Sequence, residues 1–167
     1  DYVIECNNRL WGCRYGEQDG ETVNRIYASA LGDFKNFQKY QGTSQDSYFV
    51  NVGTEGPFTG AAVHRGTPCF FKAHCVHRLY GEKPSNYQTQ MTLCDGVQEG
   101  SGDTLVSYNG ALYYLSVNGV QRFESLPEKA GMALGDERLE KGAAGQAGGK
   151  YYLSAQGADG QWDLYVL

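Results

Sequence analysis

The sequence predicts an all-β protein made of antiparallel, propeller-like sheets, and three observations carry that prediction. Glycine accounts for 23 of 167 residues, about twice its usual share of roughly 7%. Tyrosine is the dominant aromatic with 13 copies. Glycine for turns combined with Tyr, Phe and Val for strands is the composition of sheets. The third observation is an internal repeat.

Four segments share one order of features. NNRLWGC (7–13) leads to NRIYASAL (24–31), GTPCFFK (66–72) to VHRLYG (76–81), NGALYYLS (109–116) to GVQRFES (119–125), and GGKYYLSA (148–155) to WDLYVL (162–167). Each runs from a turn into an aromatic-rich strand, a polar turn and a second strand, which is the pattern of a β-hairpin. Hairpins are therefore expected near 9–31, 68–81, 111–124 and 150–167. VNG at 117–119 and ADG at 158–160 mark two of the turns. Aligned on Leu10, Cys69, Leu112 and Tyr151, the last two spacings fall near the roughly 40–50 residues of a propeller blade.

A further strand precedes three of the hairpins: YVIEC (2–6), TGAAVH (59–64) and TLVSY (104–108). GAAGQAG (142–148) is a poorer match before the fourth. A fourth, outer strand would complete each unit. Such sheets are apolar on both faces, and stacking them around an axis buries those faces. The expected fold is a single β-propeller-like domain over 1–167, partial or open, with a β-sandwich as the alternative. Residues 32–57 read as an extended connection. Residues 125–145 contain Pro127, Gly131 and Gly135, which exclude a long helix and predict a short turn or helix between units.

Composition limits the partners. The net charge is −5 with no basic cluster, which argues against nucleic acid and anionic membranes. No apolar run reaches the roughly 18–20 residues of a membrane span. Cys6, Cys13, Cys69, Cys75 and Cys94 are odd in number and match no disulfide scaffold, which favours reduced thiols in a protein assembled inside the cell.

Several chemistries can be weighed. Cys69, His74, Cys75 and His77 are zinc-type ligands, but Cys69 falls across the hairpin from Cys75 and His77, so no metal site is assigned. His64 has Ser and Cys neighbours but no nucleophile elbow frames it. Asp46, Glu55, Asp95 and Asp103 are the carboxylates a propeller glycosidase would need, and all sit in polar loops. SAQGADGQW (154–162) has Ser154, Asp159, Gly160 and Trp162 in an order like a sialidase Asp-box, which is itself a structural turn. Tyr48, Tyr80 and Tyr87 lie near loops and could stack on sugars. No dinucleotide fingerprint, phosphate loop or EF-hand-type calcium loop is present in the sequence.

The run from NRLWGC through NRIYASALGDFKNF to SYFVNVGTEGPFTGAAVHRGTPCFFKAHCVHRLYGEKPSNYQ resembles propeller-type structural proteins of tailed bacteriophages and prophages. These include minor tail and baseplate-associated proteins of gut Firmicutes prophages and, more distantly, tail-nozzle proteins of short-tailed phages. The matching positions are Asn8 to Trp11, Ser29, Gly32, Asp33, Asn36 and Phe37, then Gly66 to Lys72 and His77 to Tyr80. The final hairpin is similar to one that precedes further blades in such proteins.

The resemblance implies a non-enzymatic structural module of a virion tail, prophage-encoded and assembled in the bacterial cytoplasm. The chain is then a piece of a larger protein. No catalytic, cofactor or metal residues are implied, and no ligand-binding residue is assigned. Partners would be other tail proteins, with cell-surface carbohydrate as an alternative and self-association through open sheet edges. Phe34 and Phe37 are expected to pack onto the neighbouring blade.

Overall fold

Strand β1 (Tyr2–Cys6) turns back as β2 (Arg9–Gln18) through Asn7 and Asn8, both with positive φ. Asparagine tolerates that left-handed backbone, and two such residues in succession make the tight turn whose twist matches paired strands. β3 (Glu21–Ala28) and β4 (Tyr48–Asn51) complete a four-stranded antiparallel sheet in chain order. The computed structural model describes residues 1–130 and 137–167. Within them the same meander recurs three times.

The second sheet holds β5 (Gly60–His64), β6 (Thr67–Lys72), β7 (Cys75–Tyr80) and β8 (Gln88–Leu93). The third holds β9 (Val106–Tyr108), β10 (Ala111–Ser116), β11 (Gly119–Phe123) and β12 (Pro127–Lys129). The fourth has three strands, β13 (Leu139–Ala147), β14 (Lys150–Gly157) and β15 (Trp162–Val166). The first turn of every sheet is a two-residue turn with both residues at positive φ: Asn7-Asn8, Arg65-Gly66, Asn109-Gly110 and Gly148-Gly149.

All four expected hairpins form, as β2–β3, β6–β7, β10–β11 and β14–β15. Each expected preceding strand forms too, and the poorly matched 142–148 falls largely within β13. Two expectations need correction. The connection 32–57 is not unstructured throughout, because Tyr48–Asn51 pairs with β3 as the outer strand. Residues 125–145 were expected to form a short turn or helix, yet Pro127–Lys129 is an edge strand and Leu139–Ala147 pairs along β14. Pro127 is tolerated because it is the first residue of an edge strand. Residues 131–136 of that segment, with Gly131 and Gly135, lie outside the described residues.

The sheets pack face to face in chain order. Alternation sends Tyr2, Ile4, Trp11, Cys13 and Ile26 of the first sheet toward Phe70 and Leu79 of the second, with Phe58 between them. The opposite face of the second sheet offers Cys69, Phe71 and Val76 to Leu112, Tyr114 and Phe123 of the third. The other face of the third offers Leu115 and Val120 to Tyr151, Leu153 and Ala155 of the fourth. Polar ties cross the same boundaries: Cys6 and Asn7 donate to the Gly66 carbonyl, Arg65 pairs with Glu124 at 3.1 Å, and the Tyr151 hydroxyl donates to the Thr104 carbonyl at 2.9 Å.

Beyond β3 the chain makes a long excursion before β4, and one buried arginine holds it. Arg9 donates to the carbonyls of Ser29, Asp46 and Ser44 at 2.7, 2.5 and 2.7 Å. The Asp46 carboxylate accepts the backbone N–H groups of Gln41, Gly42 and Thr43 and the Thr43 hydroxyl. The Thr43 hydroxyl, aided by those N–H groups, holds Asp46 below the usual carboxylate range. Phe37 does not reach a neighbouring sheet. Its ring packs edge-on against Tyr27 at 5.6 Å, on the face of the first sheet turned away from the second, and Phe34 is exposed.

Phe71 is wholly buried against Tyr114 and Phe123, at the boundary between the second and third sheets. Phe71→Ala is expected to lower stability by about 3–5 kcal/mol. Urea denaturation at neutral pH measures it, and a loss below about 1 kcal/mol would mean that this boundary is not a packed core.

Candidate functional site

The densest polar arrangement lies where the second sheet meets the first. In the β6–β7 hairpin Lys72 faces Cys75 and Phe70 faces His77, so these four share one side of the sheet. Cys69 lies on the other side with Phe71. The hairpin thus sets Cys69 on the opposite face from Cys75 and His77, and His74 sits in its turn. Among the described residues no group of three or more His, Cys, Asp or Glu could hold a metal ion.

Lys72 is 2% exposed. Its ammonium donates to Asn24 Oδ1 at 2.9 Å and to the carbonyls of Thr54 and Gly56 at 2.7 Å each. The rings of Phe58 and Tyr15 lie 4.6 and 4.8 Å from Nζ. All three ammonium donors are therefore matched, which is what keeps a buried charge tolerable. Burial still lowers the pKa of Lys72. Asn24 also donates to the Thr54 carbonyl at 2.6 Å, so β3 and the 54–56 loop are clasped through one lysine.

His77 stands beside this clasp. Its Nε2 lies 2.8 Å from the Thr54 hydroxyl and 3.8 Å from Cys75 Sγ. Burial, with Lys72 nearby, pushes the imidazole down to about 4, and burial raises the Cys75 thiol. A neutral thiol beside a neutral imidazole is the reverse of the thiolate–imidazolium pair that activates a cysteine nucleophile. Burial raises the other four thiols as well, Cys13 and Cys94 to about 11 and Cys69 to about 12. None of the five is in a disulfide.

Two clefts flank the cluster. One of about 450 Å³ is lined by Thr54, Glu55, Thr59, Lys72, Cys75 and Glu99, among others. The other, of about 350 Å³, opens between β4 and β8 beside Val52, His77, Thr89 and Met91. Both volumes fall at the lower end of the roughly 300–1,000 Å³ range of small-ligand pockets.

The remaining residues singled out in the sequence do not converge. His64 Nε2 meets the Glu124 carbonyl at 2.7 Å, tying the second sheet to the third. Asp46 is the turn anchor described above. Glu55 is at a cleft rim, Asp95 accepts from Asn118 Nδ2 at 3.0 Å, and Asp103 lies in the 3-10 turn Gly102–Thr104 ahead of β9. Asp159 accepts the Gln161 N–H at 2.9 Å, as a turn residue between β14 and β15, and Trp162 follows it on the surface. Tyr48 and Tyr87 form an edge-on trio with Trp11 in the first core, leaving only Tyr80 exposed among the three tyrosines. Sequence reasoning missed Lys72 and Thr54. The available signal was a lysine closing the apolar run CFFK. No protein-family model and no curated protein matches this chain. Among the described residues no helix is long and apolar enough to cross a membrane.

The clasp predicts two outcomes. Lys72→Met takes the ammonium donor from the Gly56 carbonyl and Asn24 Oδ1, each costing about 1–3 kcal/mol, so a loss of at least about 2 kcal/mol is expected by urea denaturation. The His77 shift sets a pH window. Its pKa is about 4 in the fold against an ordinary histidine value of 6.5, so the unfolded chain takes up the proton first as pH falls. Its contribution to stability is complete above pH 6.5 and is lost as pH falls toward 4, by about 3 kcal/mol in all. His64 is shifted the same way and adds to the slope. Denaturation midpoints of wild type and His77→Gln between pH 4 and 7.5 should show a flatter profile in the variant. Parallel profiles would remove His77 as the source.

Proposed function

We propose that this chain is a rigid, non-enzymatic structural module of a phage or prophage tail, with its four sheets as successive blades of a partial or open β-propeller. The observation that carries the reading is the repeated antiparallel meander whose consecutive copies bury both faces of the middle sheets. The neighbouring of first strands supports the reading: β1 runs beside β5, β13 runs beside β9, and the Tyr2 ring sits against Gly102 just ahead of β9. Among the described residues no strand of the first sheet pairs with the fourth, which supports an open form.

The tail assignment rests on the matched positions Asn8 to Trp11, Ser29, Gly32, Asp33, Asn36 and Phe37. Their roles in the fold suit a structural motif: Arg9 holds the excursion, Gly32 donates its N–H to the Asn8 carbonyl, and Asn36 accepts from Ala30. The neutral Cys75–His77 pair and the fully matched Lys72 support a scaffold role. Other tail proteins are the partners, and the module is incorporated in the virion tail after assembly in the bacterial cytoplasm.

A host-surface adhesin that binds carbohydrate is the second reading, favoured by exposed Tyr40, Tyr80 and Trp162. Peptides of this chain are expected, at constant stoichiometry to a major tail protein, in the mass spectrum of purified particles from the induced prophage. Particles lacking it would overturn the tail reading. Saturable binding on a glycan array, lost on Trp162→Ala or Tyr80→Ala, would select the adhesin.

A further inference from the structure

The outer edge of the fourth sheet differs from the other three. β4 has four residues, β12 has three and starts with proline, and β8 is rich in Gln and Thr. Short length, proline and polar side chains are the usual protections of an edge. β15, WDLYV, has none of these, and its one charge is Asp163. Leu167 exchanges both of its backbone hydrogen bonds with Tyr151, and Tyr165 is paired with Leu153. Backbone groups alternate sides along a strand, so Trp162, Leu164 and Val166 turn their N–H and C=O groups to the open edge. The same three side chains are 53%, 68% and 48% exposed.

We propose that a second copy of this chain pairs its β15 antiparallel to the first, about a two-fold axis at Leu164, joining two three-stranded sheets into one. The register is self-complementary. Leu164 faces Leu164 of the second copy, and Trp162 faces its Val166, so every outward backbone group meets another and the exposed apolar side chains become cross-strand pairs. Asp163 falls opposite Tyr165, so no like charges meet. A slip by one residue would set the open backbone groups against those already bonded to β14. This pairing rests on the fourth sheet alone and stands or falls independently of the tail reading.

Sedimentation of the 167-residue chain across a dilution series is expected to show a monomer–dimer equilibrium. Leu164→Lys, which sets two ammonium groups face to face at the axis, should weaken it at least about tenfold, equivalent to 1.4 kcal/mol. Leu164 is exposed in the single chain, so at dilutions where wild type is monomeric the variant should keep the wild-type melting curve. Leu164→Cys should cross-link to a covalent dimer under mild oxidation, whereas Asp163→Cys, facing Tyr165 on the other side of the sheet, should do so no faster than wild type. A monomer at every concentration would overturn the proposal. So would a dimer indifferent to Leu164→Lys, or equal cross-linking of the two cysteine variants.

Discussion

Both faces of the second and third sheets are apolar, and this constraint governs the molecule. A three- or four-stranded meander of this size cannot shield two apolar faces by itself. Phe70 and Phe71 are adjacent in sequence, point in opposite directions, and are both wholly buried. That is possible only if a separate layer covers each side. The strand pattern therefore demands a stack, and the order of the stack follows the order of the chain, as consecutive elements usually pack side by side.

The polar residues inside the stack make sense in this frame. Arg9 and Lys72 are both buried cations whose donors end on backbone carbonyls of neighbouring loops. Loops that cannot form a ladder still have carbonyls to satisfy. A long side chain reaching out of a strand does this without adding another strand. His64 performs a lighter version of the same task at the next boundary, through the Glu124 carbonyl. The clustered chemistry at Lys72, Cys75 and His77 is accordingly a joint between layers, and its low-lying imidazole is a by-product of burial.

Much of this was legible in the sequence. The hairpins were marked by turn residues beside aromatic runs, and alternation correctly put Cys75 and His77 on one strand face. The outer strands were less legible because Tyr48–Asn51 and Pro127–Lys129 are short and their pairing is fixed by the neighbouring strand more than by their own propensity. β13 was obscured by its small residues: GAAGQA has little strand propensity, and its Ala144 gains a place by lying opposite Leu153. Phe37 was misassigned because an aromatic after a turn says nothing about which face of the sheet it folds back upon. Nothing in the sequence marks Arg9 and Lys72 as interior, since only the loops folding over them bury them.

The two-residue turns at Asn7-Asn8, Arg65-Gly66, Asn109-Gly110 and Gly148-Gly149 have a consequence for synthesis. Each brings its strands together from residues adjacent along the chain, so a sheet closes with little loop entropy to overcome. Apart from β4, which follows the long excursion after β3, no strand joins its sheet from far along the chain. A nascent chain can set down one layer as it leaves the ribosome and use that layer's bare face as the template for the next, so growth proceeds from the N-terminal sheet outward.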